Sequence, residues 1–151
     1  MEAGWCAVVV ASRPVVAPPG RARRRRSGSF ASRTRNIYRH QTERAGEPLP
    51  HTPAEVRAVI AEALAAGTCA YCGCALTVPK FSVDHHNPIS RDGDFSIGNI
   101  LVCYLRCNKI KGNPTSHEFL HLAAFLAQFP PEVGKDVLAR LYAGGRFMRR
   151  R

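Results

Sequence analysis

The sequence predicts a small α+β protein: two short strands and a short helix, clamped by paired cysteines, flanked by longer helices and preceded by a disordered basic arm. Three observations predict it. Two short apolar runs, Phe81–His85 and Asn99–Tyr104, read as strands. Apolar residues at spacings of three and four recur on both sides of them. Five of the six cysteines fall between positions 69 and 107. With 151 residues, 45% of them hydrophobic, the chain is suited to one modest core rather than two domains. No apolar run approaches the ~20 residues that cross a membrane, so no membrane partner is expected.

Residues 1–50 read as the arm. They carry Arg23–Arg26 in succession, with Ser, Gly and Pro and almost no apolar periodicity, and so bury too little surface to offset ordering entropy. Order is expected from residue 51. Thr52-Pro53-Ala54-Glu55 is a capping box with Pro at the first helical position, opening a helix over 53–66 that Gly67 ends. Its inner face is Val56, Val59, Ile60, Ala63 and Leu64. Cys69-Ala-Tyr-Cys72-Gly73 is a tight turn, and residues 87–98 form a loop between the strands. A short helix starts near Arg106 or Cys107 and stops near Gly112. Thr115-Ser116-His117-Glu118 opens another helix to about Gln128, whose core stripe is Phe119, Leu122, Phe125, Leu126 and Phe129. The last helix runs from about Pro131 to Ala143, burying Val133, Val137, Leu138 and Leu141, with Gly144-Gly145 as its stop. The domain is thus expected over 51–145, followed by a basic tail, 146–151.

Charge is divided unevenly. The 22 Lys and Arg against 11 Asp and Glu give +11. Residues 1–50 hold 10 Arg and 3 acids, residues 51–144 are neutral, and the C-terminal seven residues add 4 Arg. A neutral body between basic ends favours a polyanionic partner, most often nucleic acid. Glu2 stands where a secretion signal needs positive charge, and Arg13 and Pro14 break the only early apolar stretch. A reducing, cytoplasmic setting is therefore expected, in which paired cysteines bind metal rather than each other. Cys69-x2-Cys72 with Cys107 predicts a structural Zn²⁺.

The chemistry is concentrated in residues 69–112. Asp84 offers a hard oxygen ligand beside the imidazole of His85, and Asn108, in the following helix, offers a second oxygen. Mg²⁺ takes few protein oxygens and completes its shell with water and phosphate. A nearby neutral imidazole accepts a proton from water. Metal, base and basic ends together point to phosphodiester hydrolysis. Strand side chains alternate, so bringing Asp84 and His85 to one site requires a bend or a strand end.

Asp84-His85, Asn99, and Asn108 with Lys111-Gly112 resemble, in order and spacing, the motif of the HNH endonucleases, which fold as a ββα-metal core. The cysteine pairs resemble those of the family's four-cysteine, zinc-stapled subgroup. The resemblance implies that His85 is the general base and that Asp84 and Asn108 bind a catalytic Mg²⁺ or Mn²⁺. It implies that Asn99 orients the loop and the base. Arg106, Lys109 and Lys111, around Asn108, are the expected nucleic-acid contacts, with double-stranded DNA the expected substrate. One departure concerns the zinc. The family's second pair is Cys-x2-Cys, which here puts Tyr104 where the partner of Cys107 belongs; Cys103 lies one residue earlier. Cys103 is the first choice for fourth ligand, Cys74 a substitute, and a three-cysteine site the third possibility. The competing functional class is a non-catalytic zinc module that binds nucleic acid. The catalytic reading expects His85, Asp84 and Asn108 to face one shallow, solvent-open cleft.

Overall fold

The computed structural model describes residues 29–78 and 80–147. The Arg23–Arg26 run and Arg149–Arg151 lie outside them. Among the described residues the fold is α+β: five helices around one two-stranded antiparallel sheet. In chain order these are α1 (Phe30–Ala45), α2 (Pro53–Ala66), β1 (Phe81–His85), β2 (Ile100–Tyr104), α3 (Leu105–Lys111), α4 (Ser116–Leu126) and α5 (Pro131–Phe147).

Helix α1 corrects the expectation of a disordered arm reaching residue 50. Ser29 caps it, its hydroxyl accepting from the Ser32 N–H, and Gly46 ends it at φ 71° with its N–H on Thr42 O. The inner face is Phe30, Thr34, Ile37, Tyr38 and Gln41, a helical stripe at steps of four, three, one and three. Two of its five members are polar, and that hides the periodicity. The helix is fastened to the start of β1. The Phe30 and Phe81 rings lie 6.4 Å apart, the Arg33 guanidinium sits 4.7 Å over the Phe81 ring, and Arg33 Nη2 donates to Phe81 O at 2.9 Å.

Helix α2 forms as its capping box predicts, with Thr52 and Glu55 bonded reciprocally. Val56 and Ile60 are fully buried, each worth about 1.5–3 kcal/mol of transfer free energy. In the sheet, Phe81 pairs with Tyr104 and His85 with Ile100. Two strands alone are marginal in water; here Phe81, Ile100 and Val102 are covered by Val56, Ile60, Leu76, Ile110 and Phe119 in one core.

The last two helices differ in register from expectation. In α4 the buried positions are Ser116, Phe119, Ala123 and Leu126, while Phe125 and Phe129 are exposed and contact each other. In α5, Leu138 is fully buried and Tyr142 packs against the core, but Val133 and Leu141 are exposed. The helix also continues through Gly144 and Gly145 to Phe147. Glycine disfavours a helix by about 1 kcal/mol without forbidding it, and these two are not followed by a breaker.

His51, between α1 and α2, is buried, stacks edge-on against Tyr38, and finds no partner for either ring nitrogen among the described residues. Burial lowers its pKa, with the Glu55 charge opposing. The unfolded chain therefore binds the proton more readily. Stability from this group is present above about pH 6.5 and falls as pH drops below it. The urea midpoint should decrease between pH 7 and pH 5.5, and His51→Phe should lose less over the same interval. An equal loss in both proteins removes His51 as the source.

Candidate active site and metal centre

The cysteine turn is shaped by its backbone. Cys69 N–H donates to Cys74 O at 2.8 Å and Gly73 N–H to Cys69 O at 2.9 Å, with Gly73 at φ 69°. This closes the knuckle and aims Cys69 and Cys72 inward, where the first turn of α3 brings Cys107. The three sulfurs lie within 4.8 Å of one another, and all three residues are buried. A tetrahedral ion with sulfur at about 2.3 Å spaces its ligands by roughly 3.8 Å, so the cluster fits Zn²⁺. Cys69 accepts from the Cys107 and Cys72 thiols and from the Tyr104 N–H, which holds its proton affinity far below that of an ordinary thiol. A buried thiol whose proton is this readily given up is suited to a soft metal ion.

Cys103, the expected fourth ligand, is not among the converging sulfurs. It is fully buried on β2, and its sulfur accepts the Asn108 N–H while burial and the Asp84 charge raise its pKa. Strand alternation is the reason: Tyr104, its neighbour, turns toward the knuckle, so Cys103 turns away. Cys74 is buried but also outside the cluster. Elemental analysis should find one zinc per chain, lost in Cys72→Ala and retained in Cys103→Ala. Loss of zinc in Cys103→Ala reinstates it as a ligand.

Helix α3 lies along β1. Asn108 Nδ2 donates to Ser82 Oγ at 3.0 Å and Val83 O at 2.9 Å; one turn later Lys111 Nζ donates to His85 O at 3.2 Å. Lys111 also pairs with Asp84 Oδ2 at 3.1 Å, its side chain wholly excluded from solvent. The same oxygen accepts from Tyr71 O–H at 2.7 Å, and Tyr71 in turn meets Ser116 Oγ at 3.1 Å. Asp84 Oδ1 accepts the His85 N–H at 2.8 Å. Lys111 is thus a buried counter-ion of Asp84, which corrects its expected role as a phosphate contact. Arg106 stacks on Tyr142 at 5.0 Å, with its Nε buried, on the side of α3 facing α5. Lys109 is exposed.

His85 ends β1. The residue is 8% exposed, and its ring meets Phe95 edge-on at 5.8 Å. Nε2 is buried with no partner among the described residues. Burial lowers the pKa first; Asp84 raises it, Arg44 and Lys111 lower it, and Asp94 raises it. The net effect is downward, so the ring is neutral at pH 7 and able to accept a proton. Burial of His85 and Asp84 corrects the expectation of a shallow open cleft: Phe95 and the 86–98 loop cover the ring. Asn99 holds that loop closed. Its Oδ1 accepts the Asn87 N–H at 2.8 Å, and its Nδ2 donates to Asn87 O at 2.9 Å and Asp94 O at 2.7 Å. Its own carbonyl takes the His86 N–H. Inside the loop, a Cβ on Gly93 would fall 2.0 Å from Asn87 O, so only glycine allows the close turn.

For a hard divalent ion the donors are of the right type: one carboxylate and one amide oxygen. Of about four lone-pair sites on Asp84, three already face Tyr71, Lys111 and the His85 N–H, which leaves one edge for a cation. The residues fit such an ion, with Lys111 offsetting much of the carboxylate charge.

Sequence reading missed Tyr71, Ser116, Arg33 and Arg44. Tyr71 sits between the two knuckle cysteines, a position with no chemical signature of its own. The arginines were hidden with α1.

A cysteine cluster that could hold a metal ion lies beside an antiparallel hairpin and a short helix, a ββα arrangement that carries His85, Asp84 and Asn108. Residues 69–114, just under a third of the chain, match the family model described as HNH endonuclease. No curated protein and no solved structure matches the chain. The match suggests a nuclease or nucleic-acid-related function.

Proposed function

We propose that this protein is a metal-dependent endonuclease that hydrolyses phosphodiester bonds in DNA, most readily in duplex form. The observation that supports it most is His85: a neutral imidazole with an unpartnered buried Nε2, bracketed by Asp84 and by the loop that Asn99 holds. His85 accepts a proton from the attacking water. Asn99 positions the ring through the loop. Asp84 and Asn108 hold Mg²⁺ or Mn²⁺, which when bound supplies charge stabilisation at the phosphate. With the Asp84 charge shared by Lys111, affinity for the ion alone is low and substrate phosphate oxygens complete the site. Substrate reaches Nε2 once Phe95 moves aside. Cys69, Cys72 and Cys107 hold Zn²⁺ as a structural clamp, which suits a reducing, cytoplasmic setting. Lys109, exposed on α3 with its ammonium 5.8 Å from the Tyr142 ring centroid, remains the lysine of this helix for phosphate contact.

The ion pair between Lys111 and Asp84 favours a second reading, a zinc-containing nucleic-acid-binding module without catalysis. A plasmid-nicking assay with Mg²⁺ or Mn²⁺ separates the two. Metal-dependent cleavage that disappears in His85→Ala supports the nuclease. Binding without cleavage of single-stranded, duplex or branched DNA supports the module.

A further inference from the structure

We propose that Arg44, on the last turn of α1, is a phosphate-binding residue that holds the nucleic-acid backbone beside His85; the assignment rests on the nuclease reading above. Helix α1 lies outside the segment matched to the family, so nothing in that match assigns the residue.

The geometry begins at Arg33, which clamps α1 to Phe81 at the start of β1. Arg44 follows eleven residues later. At ~100° per residue that is three turns and about 20°, so Arg44 leaves the helix from the same face as Arg33. The rise is about 16 Å, against about 13 Å for β1 from Phe81 to His85. A helix seated on one end of the strand therefore delivers Arg44 to the level of the other. Consistent with this placement, the charge of Arg44 is felt at the His85 ring, together with those of Lys111, Asp84 and Asp94.

Several other cations around the hairpin are already engaged. Lys111 is consumed by Asp84, Arg91 by Glu118 and Arg39 by Glu43; Arg33 is spent on Phe81 and Arg106 on Tyr142. Arg44 is exposed and makes no ion pair among the described residues. An exposed guanidinium without a carboxylate, next to a candidate general base, suits bidentate phosphate binding.

The test uses the full chain and a labelled 20-base-pair duplex. Binding is measured first without divalent metal, across a salt series. Each phosphate contact contributes about −0.9 to the slope of log affinity against log salt. Arg44→Ala should bind more weakly and flatten the slope by about one unit, and Arg44→Lys should restore the slope. Arg35→Ala, about 200° around α1 from Arg33, should leave it unchanged. Duplex addition should also shift the NMR signals of the His85 ring in wild type and not in Arg44→Ala. In cleavage assays Arg44→Ala should raise KM about tenfold. An unaltered slope and unaltered His85 signals in Arg44→Ala overturn the assignment, as does an equal slope change in Arg35→Ala. Wild type that binds without cleaving overturns the nuclease reading alone, because the slope and ring signals still judge Arg44.

Discussion

His85→Ala is expected to fold, retain zinc and bind duplex DNA, while cleaving it about 10²–10⁴-fold more slowly than wild type, the usual contribution of a positioned base. The imidazole ring touches Phe95 and has no bonded partner at Nε2 among the described residues, so its removal breaks no buried hydrogen bond there. What is lost is a proton acceptor. The neighbouring variants should separate by readout. Asn108→Ala removes a proposed metal ligand together with its bonds to Ser82 and Val83, so extra Mn²⁺ should rescue it partly. Asn99→Ala frees the 86–98 loop and should lower the rate without altering metal dependence. Extra Mn²⁺ should not rescue His85→Ala. Cleavage by His85→Ala at the wild-type rate would falsify the mechanism.

The largest effect on stability is expected at Lys111. Lys111→Ala leaves Asp84 buried beside Tyr71 without its counter-ion, and breaking a buried pair in this way costs about 3–5 kcal/mol. Chemical denaturation should show that loss as a lower midpoint with zinc still bound. The double variant Asp84→Leu with Lys111→Met should recover much of it, since no buried charge is left unpaired. A phosphate-binding lysine would behave otherwise: Lys111→Ala would keep its stability and lose DNA affinity. The two roles are thus read by different instruments on one protein.

Where sequence and structure agree, a local signal was unambiguous. The Thr52 and Thr115 capping boxes and the Phe81–His85 alternation each act over a few residues, and each element starts where its signal says. Cys69, Cys72 and Cys107 converge because a knuckle and a helix start are also local geometry. The misses have a common cause: they depend on what lies across the fold. Thr34 and Gln41 face inward although polar, which no hydropathy pattern announces. Cys103 was assigned by counting, but its direction is fixed by strand alternation against Ser82. Lys111 reads from sequence as a nucleic-acid contact, and only α3 packing on β1 brings it beside Asp84, twenty-seven positions earlier. The constellation was legible as a set of residue types; which members face solvent and which face each other was not.

Ser116 has a consequence for dissecting this protein. It lies just past the end of the family segment, yet its N–H closes on His86 O at 2.8 Å and its hydroxyl reaches Tyr71, which holds Asp84. At the opposite border, Arg33 and Phe30, thirty-six and thirty-nine positions upstream of the first knuckle cysteine, brace Phe81 from α1. The family segment is therefore not a cassette that can be cut out and grafted elsewhere. A fragment trimmed to 69–114 would keep every residue of the motif and lose the outside struts that aim them. The smallest transplantable unit begins at the cap of α1 and runs through α5, whose Leu138 completes the core and whose Tyr142 carries Arg106 of α3.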